Sequence, residues 1–411
     1  MAVLLIVTQY GRSIMGTPGA RRAPQTHDAI SRVPTPGFRR GLFLAILLLA
    51  ILLLAILRIT MAPARDSIND TSAPRDVAEL EDQLSTPNER VIETFSRLDG
   101  DVMILGAGGK MGPTLARMAR RAADAADVPR RVFAVSRFSD DSVRRRLQSW
   151  GVETIRCDLL DAAPLAELPD AANLVYMAGR KFGSSGDEAL TWAMNCYLPG
   201  LVCRRFAASR LVAFSTGNVY GMVAADSGGS RETDPPRPQG DYAMSCLGRE
   251  RILEHFSRRL GIPLAILRLN YACELRYGVL VDLAQRVLAS ETIDLTMGHV
   301  NVIWQAEAAA MALAALEHVA TPPRVVNIAG PETLPVREVC ESFGRCFARP
   351  VSFRGREAST ALLSDGTLGH ELLGRPRITA AEMIAWTADW LRRGEATLDK
   401  PTHFEVRDGR Y

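Results

Sequence analysis

The chain has 411 residues, 47% of them hydrophobic, which is enough for one large core or two smaller ones. A formal net charge of +3 gives no electrostatic ground for binding nucleic acid. The seven cysteines are scattered, with no Cys-x-x-Cys pair and no Cys/His cluster. That pattern argues against a zinc site or a disulfide framework and for reduced thiols in an intracellular fold.

Residues 41–57, GLFLAILLLAILLLAIL, form an uncharged apolar run flanked by Arg39, Arg40 and Arg58. At roughly 17 residues it lies at the short edge of a bilayer span. The arginines before it would hold the N-terminus in the cytoplasm and export the rest. The run also nearly repeats itself, as translated repetitive DNA would, and Met61 opens an ordinary polar leader. Two readings stand, a membrane anchor or a start assigned too early, and in both residues 1–60 are set apart from the fold. Residues 61–98 read as a polar leader followed by a helix in STPNERVIETFSRL, with Ser85 or Thr86 as N-cap and Pro87 in its first turn.

From residue 99 short apolar runs alternate with helical patterns. DVMILGAGG, RRVFAVSR, VETIRCDL, NLVYMAG, SRLVAFST and GIPLAILRLNYA are the expected strands. Continuous apolar strands separated by helices predict an α/β fold, a doubly wound parallel sheet covered on both faces. Beyond about residue 271 the pattern is irregular and mostly helical, and residues 272–395 are expected to form a smaller C-terminal substrate lobe, with 396–411 as a tail.

The first strand runs into Gly106, Gly109 and Gly112 at three-residue spacing, and a helix follows. Glycines between a strand and a helix let backbone N–H groups approach a pyrophosphate at the helix N-terminus, the Rossmann-type dinucleotide turn. Lys110 and Met111 lie within that turn and count with the cofactor side. The second strand ends in Ser136-Arg137, with no acid placed to bond a ribose 2′-hydroxyl. An arginine there accommodates a 2′-phosphate, so the cofactor reads as NAD(P) with NADP favoured. Asp158, beside Leu159 after the third strand, reads either as a partner for the adenine amino group or as a loop cap.

With FSTGNVYG at 214–221 and YAMSC at 242–246, the chain resembles the extended short-chain dehydrogenase/reductases, specifically the NAD-dependent epimerase/dehydratase family. The resemblance runs from about 101 to 395 and rests on several motifs in one order: the glycine turn, Asp158-Leu159, Tyr-Met-Ala178-Gly179, Ser-Thr-x-x-Val-Tyr-Gly, Tyr242, LRLNY and VNIAGPET. It implies that Thr216 bonds the substrate oxygen and that Tyr242 is the acid/base while hydride moves to or from the cofactor. It also puts a lysine where this chain has Cys246. A thiol neither supplies a positive charge nor bonds ribose hydroxyls well, so a surrogate cation is sought in Arg180 or Lys181, in the loop after the fourth strand. Cys246 as a covalent nucleophile is a third reading, although no histidine lies near it in sequence.

The resemblance narrows the chemistry as well. Gly217 and Asn218 stand where the family's 4,6-dehydratases carry acids, and Trp304-Gln305 stands in place of a common acidic pair. Asn195, Asn270, Tyr271 and Arg276, with His299, are the positional candidates for substrate contact, while Trp304, Trp386 and Trp390 read as packing. The expectation is a cytoplasmic NAD(P)-dependent oxidoreductase or epimerase acting on a hydroxylated, sugar-like small molecule, with a homodimer among its implied states. The rival is a cofactor-binding sensor or assembly protein that has lost its redox chemistry.

Overall fold

The computed structural model describes residues 72–181 and 186–410, and Ser72 onward forms one compact unit. The apolar run at 41–57 lies outside the described residues. Among those described, no helix is long and apolar enough to cross a membrane.

Seven strands build one sheet: β1 Val102–Leu105, β2 Val132–Ser136, β3 Glu153–Arg156, β4 Asn173–Tyr176, β5 Arg210–Thr216, β6 Leu264–Leu269 and β7 Arg324–Ile328. Their order is β7-β6-β5-β4-β1-β2-β3, with every pairing parallel. The alternation along β1 shows why the apolar runs are continuous. Val102 and Ile104 enter one buried cluster and Met103 and Leu105 the other, so each face of the pleat is covered. The chain leaves β1 toward β2 and β3, then returns to the other side of β1 for β4. That reversal opens a crevice at the carboxyl ends of β1 and β4, where open α/β sheets bind ligands.

Six strands fall where the sequence puts them. The seventh, β7, comes from the stretch expected to be irregular, pairs with β6 along its whole length and so joins the later part of the chain to the sheet. Two local expectations are corrected. The stretch taken as leader contains a helix, Val77–Leu84, capped by Asp76, with Leu80 and Leu84 fully buried. The next helix, Glu89–Arg97, is capped by Asn88, whose side chain accepts from Val91 N at 3.0 Å. Ser85 instead closes the preceding helix, its hydroxyl donating to Glu81 O at 2.7 Å. The tryptophans are core, as expected: Trp304 meets Trp386 edge-on at 5.5 Å between centroids, and Trp390 is fully buried.

The long helix Gly240–Leu260 carries Tyr242 and is locked to the sheet by a buried ion pair. Arg268 on β6 grips Glu250 bidentately, Nε to Oε1 at 3.0 Å and Nη2 to Oε2 at 2.6 Å, and the Ser215 hydroxyl donates to Oε1 at 2.5 Å. Removing one member of such a pair leaves the other charged and dry, which costs about 3–5 kcal/mol. Arg268→Met is therefore expected to lower unfolding free energy by about that amount, read from urea unfolding. Arg268→Met with Glu250→Gln should recover part of the loss; an Arg268→Met variant as stable as the parent would contradict this account.

Candidate active site

The glycine turn is shaped by close backbone approach. Gly106 has φ +92, and a Cβ there would stand 2.6 Å from Ala178 N. A Cβ on Gly108 would meet the Ser136 hydroxyl at 2.5 Å, and one on Gly112 would run into the Ala107 carbonyl. The three glycines thus bring β1, β2 and β4 together around an open concavity. The helix Gly112–Ala125 begins there with Met111 as N-cap and no side chain capping it, so its first N–H groups face the groove. A dinucleotide pyrophosphate fits this cradle.

On one side lies a cleft of about 280 Å³ bounded by Gly106, Gly109, Arg137, Asp158, Leu159 and Ala178. Arg137 sits on its rim just past β2 and is exposed. Asp158 caps its own turn, accepting from Leu160 N at 3.1 Å. On the other side a second cleft, of about 430 Å³, shares Gly106, Gly109 and Gly179 with the first, so the two form one groove.

Thr216, Tyr242, Lys181, Asn270 and Tyr271 all line the second cleft, as do Lys110 and Met111. Thr216 ends β5, where its hydroxyl donates to Asn218 Oδ1 at 2.8 Å and accepts from Asn218 N at 3.2 Å. Tyr242 occupies the first turn of its helix. The Cys246 thiol, one turn on, is fully buried and in hydrogen-bonding contact with the Tyr242 side chain. Burial pushes that thiol up, against the pull of Arg249, Tyr242 and Lys181, so it is a neutral packing group and not an activated nucleophile. The Lys181 ammonium stands 5.8 Å from the Tyr242 ring centroid and donates to Thr402 O at 3.3 Å. Burial lowers its pKa to about 8. Lys110 lies over the Tyr277 ring, 3.2 Å from its centroid. Burial, with Lys400 and Lys181 nearby, brings it down to about 7. Arg180 turns to Asp187 at 2.9 Å. Asn270 is buried and donates to Asn301 Oδ1 at 2.6 Å. Tyr271 holds φ +39, a left-handed conformation costly for a bulky residue and frequent at functional sites.

Three candidates are not brought to the cleft. Arg276 is bound between Glu274 and Glu81, each at 3.1 Å, in a buried ionic cluster that ties in the first helix. Asn195 sits behind the wall in the π-helical turn Ala193–Tyr197, bridging Arg180 N, Arg180 O and Ser245 Oγ. It ties the backbone of Arg180 and does not line the cleft. His299 lies in a short strand paired with Leu334–Pro335, away from the cleft, and its ring Nδ1 is buried without a hydrogen-bond partner among the described residues.

Sequence reasoning missed three parts of the site. The tail strap is one: Thr402, anchored by its N–H and hydroxyl to Asp282, lines the cleft, and Gly409 packs against Gly240 at the start of the Tyr242 helix. Gln305, in place of a family acid, also lines the cleft and donates to Thr114 at 3.2 Å. The third is Arg249, buried beside the cleft; its spacing of seven from Tyr242 is a helical signal that could have found it.

A family model described as the NAD dependent epimerase/dehydratase family matches residues 102–329. No curated protein matches. Among solved structures, the UDP-glucuronic acid 4-epimerase of Bacillus cereus, in complex with UDP-glucuronic acid and NAD, is 18% identical, with a TM-score of 0.60 over 71% of this chain and 99% of that one. A UDP-glucose 4-epimerase from Thermotoga maritima, solved with UDP-glucose, is 17% identical at TM-score 0.59 over 72% and 99%. A dTDP-glucose 4,6-dehydratase from Streptomyces venezuelae, solved with NAD, is 21% identical at TM-score 0.59 over 71% and 97%.

The lowered lysines give the groove a pH dependence. A lysine depressed to about 7 is protonated below that pH and neutral above it, and a pyrophosphate prefers the protonated form. NADH affinity should therefore fall several-fold as pH rises from about 6 to about 8.5, measured by fluorescence titration, and Lys110→Met should flatten the profile. An affinity that rises with pH would contradict this.

Proposed function

The chain belongs to the NAD-dependent epimerase/dehydratase family, and from that premise we propose that it binds NAD along the groove and oxidises, reduces or epimerises a hydroxyl-bearing carbon of a sugar-like small molecule. The observation that carries this reading is that Thr216 and Tyr242 line the same cleft half as Gly106 and Gly179 of the cofactor cradle. Gly106, Gly109 and the start of the helix Gly112–Ala125 would hold the pyrophosphate, with Lys110 and Met111 beside it. Asp158 and Leu159 would flank the adenine, and Ala178 and Gly179 the nicotinamide end. When bound, NAD supplies the hydride acceptor and donor.

Tyr242 takes the proton of the substrate hydroxyl in oxidation and returns it in reduction. Its place in the first turn of a 21-residue helix favours the phenolate through the positive end of the dipole, and Lys181 adds a cation on the cleft side. Thr216 already donates its proton to Asn218, so its remaining lone pair accepts from an alcohol. To donate to a carbonyl it must release Asn218. Asn270 and Tyr271 stand at the carboxyl edge of β6, on the substrate side of the cleft.

Arg137 is the one feature that favours NADP. The similar structures solved with NAD support NAD. Reduced thiols, all seven cysteines being free, support a cytoplasmic location. A second reading, a binder without turnover, is favoured by Cys246 at the lysine position alone. Titration with NADH and NADPH, followed by a screen of free and nucleotide-linked sugars, tests the assignment. NADH should bind more tightly. Tyr242→Phe should cut turnover by about 10²–10⁴ while leaving NADH affinity nearly unchanged. Binding of neither nucleotide would overturn the assignment.

A further inference from the structure

Tyr242, Cys246 and Arg249 fall at i, i+4 and i+7 on one face of the helix, Tyr242 half-buried at the cleft and the other two buried. Arg249 is 6% exposed. Its Nη1 donates to Phe214 O at 2.8 Å and its Nη2 to Asn195 Oδ1 at 2.5 Å. Its Nε is buried with no hydrogen-bond partner, and among the described residues no carboxylate pairs with it. An arginine stays protonated in proteins, so this is a permanent charge taken out of water without a counter-ion, an arrangement costly to keep unless something uses the charge. Its place is specific. A Cβ on Gly179 would collide with Nη2, so the guanidinium lies against the glycine shared by both halves of the groove.

We propose that Arg249 supplies the cation absent at position 246: one turn further along the helix, its buried guanidinium acts through space on the Tyr242 hydroxyl and stiffens the Gly179 floor of the groove. It is a positioning and electrostatic residue, and its role rests on the reading of Tyr242 as the acid/base. The titratable groups in its field are Cys246 and Tyr242 on its own helix, Tyr176 on β4 and Cys196 on the π-helical turn. Lys181 faces Tyr242 from the loop after β4. Glu250, next in sequence, is held by Arg268 and Ser215.

The test is phenolate difference absorbance of the full chain, with the Tyr242 signal isolated by subtracting Tyr242→Phe from the eight tyrosines. We expect Tyr242 to ionise at least one unit below the ordinary tyrosine value of about 10. In Arg249→Met the midpoint should return to about 10 or above, and Cys246→Lys added to that variant should bring it down again. An unchanged midpoint in Arg249→Met overturns the proposal, as does a shift produced only by Lys181→Met. If Arg249→Met does not fold, Cys246→Lys alone decides: a change under about half a unit means that the charge is already supplied, and a fall of a unit or more means that it is not. NADH titration of the same samples keeps the two readings apart. Loss of NADH binding in the parent protein would sink the functional assignment, whereas the Tyr242 midpoint decides the role of Arg249 with no cofactor or substrate present.

Discussion

The arrangement of the cleft depends on one close approach, the Arg249 guanidinium against the backbone of Gly179. That contact joins three pieces of chain that meet nowhere else in sequence: the loop after β4, the helix carrying Tyr242, and, through Phe214 O, the end of β5 that carries Thr216. Asn195 completes the joint. Its carbonyl oxygen accepts from both Arg249 and Arg180 N, and its amide donates to Arg180 O and Ser245 Oγ. Four hydrogen bonds from one buried side chain fix the loop that bounds the cofactor groove.

The next residue along sets the rotation of the helix. Phe214 and Ser215, consecutive on β5, take Arg249 and Glu250, consecutive on the helix. Glu250 in turn reaches Arg268 on β6, and Arg268 lies over the Tyr220 ring at 4.6 Å. Two adjacent side chains of opposite charge, each with its own partners, leave the helix no freedom to turn. Tyr242, two helical turns earlier, and Thr216, one residue past Ser215, are therefore held in one cleft by the same pair of contacts.

The sheet was legible because most of its strands carry short apolar runs separated by helical patterns, and the glycine turn because its chemistry is local. β7 was not, since its Asn327, a polar residue in a five-residue strand, breaks the apolar run; the residue is buried because Ser230 O, Asp365 O and the Tyr220 hydroxyl satisfy it. The helix Val77–Leu84 was hidden in a stretch of mixed charge because only Leu80 and Leu84 mark its buried side. Arg276 looked like an anion ligand because one of its two partners, Glu81, lies 195 residues away, although the other, Glu274, stands two residues before it. The tail strap carries no motif at all. Its place follows from Asp282, a buried carboxylate that Thr402 satisfies twice.

These contacts also account for the cysteine. Position 246 lies one helical turn from Arg249, fully buried and touching Tyr242. A lysine there would set a second cation near a guanidinium that pairs with no carboxylate among the described residues, and like charges in a dry site repel. Cys246 is instead a small neutral side chain that packs against Val219 and Tyr220. Lys181 differs because it comes from the loop after β4, holds the Thr402 carbonyl and is lowered by burial to about 8, so it can shed its charge. Arg249 cannot. The permanent cation is carried on the helix of Tyr242 and the adjustable one on the loop after β4, with the neutral cysteine on the same helix as the first.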